Sequence, residues 1–360
     1  MSSTQRPRIH VLVLDGGGVR GLSSLLILRE IIQRMQFHNG TEVRPSECFD
    51  LIVGTGTGGI SALFLGRLRM TVDETIKEYM SLAKIAFKPS SASLSRILPG
   101  QAILDGSTLD RSIGDIAKQY LRDRNALLDE SSTDPGFSQC RTAVLATSSA
   151  SADSPPHVFR SYGTTQPPSQ FTVREVARAT AATALIFSPA KLGNPPVEYV
   201  DAGQAGWNNP AKIALDEVAK LWPGRNVDCL VSLGTGRQKI VNVQGSSVEM
   251  AQIYNAILQS CEQVHDEIMC RQGRESWPYF RFNVDRGLED VGMHEWEAAA
   301  QQRLTGITEA YMRWLDVTRS LRSCVRVLNG HTPGELSTPT SCDYLDSVKS
   351  SRGSWRCRYS

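Results

Sequence analysis

The chain of 360 residues carries 39 Lys and Arg against 37 Asp and Glu, and 41% of its residues are hydrophobic. This near-neutral balance argues against nucleic-acid binding driven by bulk charge, which needs a basic surface. The eight cysteines are too few for a disulfide scaffold at this length, and none forms the C-x-x-C pair of a structural zinc site. The sequence has neither a secretory signal nor an apolar run long enough to span a membrane, so we expect a cytoplasmic protein.

The N-terminal part alternates short apolar runs with helical ones. Residues 9–14 form an apolar run that ends at glycines, which is typical of a buried strand, and residues 22–37 have apolar side chains at helical spacing. The same order returns at 49–53 and 60–68, with a second glycine turn between them. Each unit therefore predicts a strand, a glycine turn and a helix.

Farther along the chain the alternation continues. Thr71 and Glu74 have the spacing of a capping box in front of a helix over 72–87. We predict two more strands, at 141–147 and 229–233, and two more helical regions, at 248–269 and 296–328. Strands separated by helices favour a parallel sheet covered on both faces. Three Ser-, Pro- and Gly-rich stretches are predicted to be surface loops or lids: 90–107, 131–138 and 148–168.

The first glycine turn, Asp15-Gly16-Gly17-Gly18, begins a G-x-G-x-x-G pattern between a predicted strand and a predicted helix. That pattern alone would suggest a dinucleotide site. Asp15 counts against this, because its carboxylate would face the pyrophosphate, and no acidic residue ends a second strand at the expected offset. The same backbone N–H groups can instead stabilise a developing oxyanion.

Two later segments add possible catalytic chemistry. The turn Gly54-Thr55-Gly56-Thr57-Gly58 has the shape of the G-x-S-x-G nucleophile elbow, but its central residue is Gly56. Asp201 ends a predicted strand in front of Gly203 and, taken by itself, is most simply an Asx turn.

Together and in this order, these segments resemble the patatin-like phospholipase family. The quoted stretches are DGGGVRGL at 15–22, GTGTGG at 54–59, ARATAATALIFSP at 177–189, VDAGQAGWNNP at 200–210 and SLGTG at 232–236. The resemblance implies a three-layer α/β fold with a mostly parallel sheet and helices on both faces. It extends over roughly residues 8–325, so we assign the domain to 1–328. The chain then turns polar and rich in Ser, Thr and Pro, and we expect a disordered tail over 329–360.

The family resemblance also implies a reaction, the hydrolysis of lipid acyl esters by a serine–aspartate dyad without cofactor or metal. Carried over position by position, the nucleophile falls on Gly56 and the base on Asp201. The oxyanion donors fall on the amides of Gly16, Gly17, Gly18 and Thr57. The implied partners are lipid or phospholipid acyl esters, met at a membrane surface. Similar domains occur in fungal proteins, some of them at the head of NLR-type receptors. Self-association and fusion to C-terminal domains are therefore further alternatives.

Three departures from the family pattern surround the implied site. Gly56 stands where serine is expected, Ala202 follows Asp201 where glycine is usual, and Ala181 with Ala184 replaces a serine and a proline. Thr55 and Thr57 are predicted to point into the fold, so neither substitutes for the serine. We therefore expect a domain that is inactive or strongly impaired.

Three alternatives stay open at this stage. The first is residual hydrolysis by water that Asp201 activates beside the glycine loop. The second is a pseudoenzyme that binds a lipid or a partner within a larger receptor-type protein. The third is a nucleotide- or phosphate-binding module built on the two glycine turns.

Overall fold

The computed structural model describes residues 8–86, 106–130, 140–164, 169–183, 186–238, 260–275 and 277–331. Several predictions fall outside these residues: the loops at 90–105 and 131–138, the start of the predicted helix at 248–259, Ala184, and the tail from 332 onward. No helix in the described ranges combines the length and the apolar character needed to cross a membrane.

Within these ranges a single mixed sheet organises the fold. Its strands are β1 (His10–Leu14), β2 (Leu51–Thr55), β3 (Arg141–Ser148), β4 (His157–Arg160), β5 (Ala190–Leu192), β6 (Val197–Asp201), β7 (Cys229–Leu233) and β8 (Tyr279–Phe282). The strand order is β5-β6-β3-β2-β1-β7-β8, with β4 also paired to β3. The run β3-β2-β1-β7-β8 is parallel, whereas β4 and β6 pair with β3 in the antiparallel sense and β5 does so with β6.

Helices cover the sheet on both faces. They are α1 (Gly21–Asn39), α2 (Pro45–Cys48), α3 (Thr57–Ala62), α4 (Val72–Ala86), α5 (Gly106–Leu121), α6 (Val173–Thr180), α7 (Ala211–Leu221), α8 (Glu262–Glu275), α9 (Ala298–Met312) and α10 (Leu315–Leu328). Short 3-10 turns at Gly18–Arg20 and Ala202–Ala205 follow β1 and β6.

The side chains of β1 show why both faces are buried. Leu12 and Leu14 belong to a core shared with α1, α3 and α4, whereas Val11 and Val13 belong to a second core shared with α7. Since alternate residues of a strand point to opposite faces, a continuous apolar strand requires cover on both sides. The predicted three-layer α/β fold is thereby confirmed.

The structure also corrects parts of the sequence prediction. The predicted loop at 148–168 contains β4, and the predicted helix over 60–68 consists of α3 followed by a π turn over Leu63–Arg67. The helical region at 296–328 divides into α9 and α10. Strands β4, β5 and β8 were not predicted, because they are short and partly exposed. The strand that ends at Asp201 was predicted, but its antiparallel pairing was not.

Candidate active site

The glycine loop between β1 and α1 is held by hydrogen bonds to distant parts of the chain. The Gly16 N–H donates to the carbonyl of Asn208 over 3.3 Å, and the Gly16 carbonyl accepts from Thr235 Oγ1 over 2.8 Å. Gly18 has φ +61°, and a Cβ atom there would collide with the carbonyl of Met293. Only glycine can adopt this dihedral angle without strain and also leave room for the Met293 carbonyl.

The amide groups of this loop differ in availability. The Gly16 N–H is already donated within the fold, which leaves it without a free hydrogen for an oxyanion. Among the described residues, no acceptor is found for the N–H groups of Gly17, Gly18 and Thr57, and all three residues line one cavity. The predicted set of donors is thereby reduced from four to these three.

The second glycine turn has the strained geometry of an elbow. Gly56 joins β2 to α3 with φ +58° and ψ −128°, a conformation that L side chains rarely adopt. Its N–H donates to Thr180 Oγ1 over 2.9 Å, and that hydroxyl donates to the carbonyl of Leu145 over 2.7 Å. Thr180 therefore ties the elbow to β3, a role that the sequence did not indicate.

The two threonines of the elbow are both hydrogen-bonded. Thr55 is buried and donates to the Trp207 carbonyl over 3.0 Å, as predicted for an inward-pointing side chain. Thr57 donates to the Gly18 carbonyl over 3.3 Å, but it is only half-buried and lines the cavity. The prediction that both threonines point into the fold is therefore wrong for Thr57, because α3 begins at the cavity wall.

Asp201 ends β6 and is buried. Its Oδ1 accepts from the Gly203 N–H and its Oδ2 from Thr183 Oγ1, each over 2.9 Å. Burial raises the pKa of the Asp201 carboxyl to about 6, against the opposing effect of these two hydrogen bonds. A base with a pKa near 6 is ionised at neutral pH and can still accept a proton.

Strand register brings Gly56 and Asp201 together. Thr55 pairs with Leu145 on one side of β3, and Asp201 pairs with Ala146 on the other side. The motif order favours placing the two residues at the ends of adjacent parallel strands, and this expectation is wrong, because β3 lies between β2 and β6 and β6 runs antiparallel to β3. A Cβ atom placed on Gly56 would nevertheless lie 3.2 Å from Oδ2 and 3.3 Å from Oδ1 of Asp201.

Asp201 lines a cavity of about 550 Å³, together with Gly17, Gly18 and Thr57, the residue that follows Gly56. One part of its wall is apolar and is contributed by Ile60, Leu82, Ala83, Leu109 and Phe187. Another part is polar and is contributed by Asn208, Thr235, Glu262, Gln263 and Asn283. A cavity divided in this way suits an amphipathic ligand, with its chain on the apolar side.

Two features of the site went unassigned in the sequence analysis. Thr183 lies within the family-like stretch 177–189, but the sequence did not predict its hydrogen bond to Asp201. Asp15 forms a buried ion pair with Arg281, in which Oδ2 and Nη2 are 2.6 Å apart. Burial raises the pKa of Asp15, and the guanidinium of Arg281 opposes that shift. No group of three His, Cys, Asp or Glu side chains within the described ranges is arranged to hold a metal ion.

The raised pKa of Asp201 gives a prediction for stability. Because the folded state holds this proton more tightly than the unfolded chain, the stabilising contribution is present below about pH 4 and is lost as the pH rises through about 6. Asp201→Asn keeps the shape but cannot ionise. We expect its free energy of unfolding to exceed that of the parent by about 2–3 kcal/mol at pH 8 and to match it near pH 4. Urea unfolding at both pH values measures this, and equal differences at the two would contradict it.

Comparisons with known proteins match the family that the sequence motifs resemble. A family model described as patatin-like phospholipase matches residues 12–215. The chain is 29% identical to calcium-independent phospholipase A2-gamma of Mus musculus over 76% of its own length and 35% of that protein. It is 26% identical to patatin-like protein 1 of Arabidopsis thaliana over 69% of the chain and 61% of that protein. The chain thus spans about a third of the first of these relatives.

Among solved structures, the chain is similar to VipD from Legionella pneumophila. The TM-score is 0.36 and the sequence identity is 10%, with 84% of this chain and 67% of that chain covered.

Proposed function

Because the chain belongs to the patatin-like phospholipase family, we propose that its cavity binds the acyl ester of a lipid, and that hydrolysis is strongly impaired without a serine at position 56. The proposed domain extends over residues 1–328 and acts in the cytoplasm at a lipid surface. Its binding wall is the apolar part of the cavity, and the ester lies between the glycine loop and Asp201.

One observation carries this proposal. The side-chain direction at Gly56 leads straight to the carboxylate of Asp201, with a Cβ position 3.2 Å from Oδ2. A serine hydroxyl on that Cβ could donate to the carboxylate, which is the relation of nucleophile and base that acyl transfer requires. In the chain as it stands, a bound ester meets the base and the amide donors but no covalent nucleophile.

The roles of the remaining groups follow from their positions. Asp201 accepts the proton of the attacking group, and Thr183 holds its carboxylate by donating to Oδ2. The free N–H groups of Gly17, Gly18 and Thr57 would stabilise the negative charge on the carbonyl oxygen in the tetrahedral state. These donors are already in position before the reaction begins. Turnover nevertheless requires a nucleophile, which the chain lacks at position 56.

A second candidate function is slow hydrolysis by water that Asp201 activates. The pKa of about 6 favours it, because Asp201 is then a competent base at neutral pH. Measuring p-nitrophenyl butyrate hydrolysis by the parent and by Asp201→Asn separates the two candidates. A fall in rate in the variant supports activated water, whereas equal rates support a domain that binds lipid without turning it over.

Active-site labelling provides a direct check on the missing nucleophile. We expect a fluorophosphonate probe to leave residues 54–59 of the parent unmodified, because the hydroxyls of Thr55 and Thr57 are donated to backbone carbonyls. Gly56→Ser should gain one adduct at position 56, and Gly56→Ala, which adds the Cβ without the hydroxyl, should gain none. Peptide mass spectrometry locates the adducts, and an adduct on either threonine of the parent would refute the proposal.

A further inference from the structure

Two of the three proposed oxyanion donors, the N–H groups of Gly17 and Gly18, lie on a run of glycines that cannot hold its own shape. A glycine has no side chain and adopts a wide range of φ and ψ angles, so the direction of its N–H group depends on contacts from elsewhere in the chain. At one end of the run, Gly16 is held by Asn208 and Thr235. The contacts at the other end, at Gly18, therefore decide where the N–H groups between them point.

The carbonyl of Gly18 accepts hydrogen bonds from two side chains. The Tyr79 hydroxyl donates to it over 2.5 Å, and Thr57 Oγ1 donates to it over 3.3 Å. The Gly21 N–H also donates to this carbonyl, within the 3-10 turn. The N–H of the same peptide group donates to the Met293 carbonyl over 2.8 Å. Tyr79 thus provides the shorter of the two side-chain contacts that fix the peptide group next to the Gly18 N–H.

Tyr79 reaches the glycine loop from helix α4 and is only 3% exposed. It lines the cavity together with Leu82, Ala83 and Ala86, which follow it at helical spacing on the same face of α4. A Cβ atom on Gly21 would collide with the Tyr79 hydroxyl, so the glycine that begins α1 leaves the space for this contact. Burial raises the pKa of the Tyr79 phenol, and the hydroxyl therefore remains a hydrogen-bond donor at neutral pH.

We propose that Tyr79 is a positioning residue of the candidate active site, whose hydroxyl holds the Gly18 carbonyl so that the N–H groups of Gly17 and Gly18 face the cavity. This rests on the proposed function and adds to it a side chain that the family resemblance did not assign. Oxyanion donors stabilise the tetrahedral state only when they are directed at the developing charge. The contribution of Tyr79 should therefore appear in turnover and not in the binding of the ester.

Kinetics in the Gly56→Ser background separate these two effects. Tyr79→Phe removes the hydroxyl but keeps the ring that lines the cavity. We expect kcat for p-nitrophenyl butyrate to fall about tenfold and KM to change by less than about twofold, because the lost contact acts on the transition state alone. Tyr120→Phe is the matched control, since it removes a phenol hydroxyl from α5, outside the cavity, and it should leave both constants unchanged.

Two inhibitors of equal chain length repeat this comparison at equilibrium. The serine of Gly56→Ser can add to the carbonyl carbon of 1,1,1-trifluorooctan-2-one. In that step its proton passes to Asp201 and the carbonyl electron pair moves onto the oxygen, which becomes an oxyanion. Octanamide binds without this step. Tyr79→Phe should weaken the ketone by about the factor by which kcat falls and leave octanamide unchanged.

Hydrogen exchange of the parent chain tests the loop without any turnover. The Val19 N–H belongs to the peptide group whose carbonyl Tyr79 holds, and its bond to Met293 protects it from exchange. In Tyr79→Phe, peptides that cover residues 15–22 should exchange at least about threefold faster at this amide, because the peptide group then opens more often. Peptides over 54–59 should be unchanged, and Tyr120→Phe should leave both regions as they are.

A second variant disturbs the same contact from α1. Gly21→Ala places a Cβ against the Tyr79 hydroxyl, and the φ of −58° at this position accepts alanine without strain. In the Gly56→Ser background we expect it to lower kcat as Tyr79→Phe does. The double variant should lose less than the product of the two single effects, because both act through one contact. Effects that multiply would show that the two residues act independently and would overturn the proposal.

The outcomes distinguish the positioning role of Tyr79 from the proposed catalysis. Unchanged exchange at residues 15–22 in Tyr79→Phe would overturn the positioning role, whatever the activity of Gly56→Ser. A rise in KM as large as the fall in kcat, or equal losses for the ketone and the amide, would assign Tyr79 to ester binding and overturn it as well. Faster exchange combined with an inactive Gly56→Ser would support the positioning of the loop and refute only the proposed catalysis.

Discussion

Gly56→Ser is expected to raise ester hydrolysis over the parent by at least about 10²-fold, since nucleophile and base act as a unit and the other parts of the site are in place. The Cβ position at Gly56 faces Asp201, and the carboxylate is held by Gly203 and Thr183. The three N–H groups that we propose as oxyanion donors have no acceptor among the described residues. We expect partial recovery, because a Cβ only 3.2 Å from Oδ2 forces the carboxylate to shift slightly.

The pH profile of Gly56→Ser should report on Asp201. Its activity should increase as the pH rises through about 6, because the carboxyl must lose its proton before it can act as a base. Initial rates with p-nitrophenyl butyrate and with a short-chain phosphatidylcholine from pH 5 to 8 measure this. Gly56→Ala and the double variant Gly56→Ser with Asp201→Asn are the matched controls, and activity in either would refute the assigned roles.

The same substitution should reduce stability. At φ +58° a residue other than glycine is strained by about 1–3 kcal/mol, so restoring the functional group weakens the fold. A Gly56→Ser variant more stable than the parent would show that the elbow conformation is not the one described. Unchanged hydrolysis with reduced stability would instead show that the pocket no longer supports chemistry.

The other departures from the family pattern fit a preserved geometry. Ala202 begins the 3-10 turn after Asp201, and the bond from the Gly203 N–H to Oδ1 is present with alanine at this position. Ala181 lines the cavity near Thr183, whose hydroxyl reaches Asp201. These contacts are the reason to expect recovery in Gly56→Ser rather than a decayed pocket.

Arg281→Met is expected to lower the free energy of unfolding by about 3–5 kcal/mol, because it leaves the carboxylate of Asp15 buried without its partner. The exposures of the two side chains are 6% and 0%, so water cannot replace the lost guanidinium. The effect should reach the site as well, since Asp15 precedes the glycine loop. We expect weaker lipid binding along with the lower stability.

A double-mutant cycle measures the coupling. Asp15→Leu alone should also be strongly destabilising, but the double variant with Arg281→Met should be less destabilised than the sum of the two, because both charges are then removed. Arg313→Met serves as the control, since its partner Glu309 is 3.6 Å away on an exposed helix face, and it should cost less than about 0.5 kcal/mol. Additive effects in the Asp15–Arg281 cycle, measured by urea unfolding, would contradict the buried pair.

The sequence predicted the parallel strands β1, β2, β3 and β7 well, because they are buried on both faces and consist mainly of apolar residues. It did not predict β8, which carries Arg281 and is partly exposed. Strand β7 lies at the predicted Cys229–Leu233, and the capping box at Thr71 and Glu74 is confirmed by reciprocal bonds of 2.8 and 3.2 Å. Both glycine turns also lie where they were predicted, because each follows such a strand.

The contacts that shape the site were harder to predict, since they join residues that share no local pattern. Thr183 carries an ordinary hydroxyl, and it reaches Asp201 because the Asp201 N–H donates to the carbonyl of the preceding residue, Ala182, over 3.1 Å. The sequence around Arg281 does not distinguish it from a surface arginine. The pairing of β8 with β7 places it beside Asp15.

Arg281 and Asp15 are 266 positions apart, and this separation sets an order on synthesis at the ribosome. Strand β1 emerges early and can pair with β2, but its other neighbour, β7, and the residues that fix the glycine loop are translated much later. At a translation rate of roughly 5–20 residues per second, Arg281 is synthesised on the order of 10–50 s after the glycine loop. The central strand therefore has one unpaired edge during this interval, in which chaperone binding and aggregation compete with completion of the cavity at Asp201.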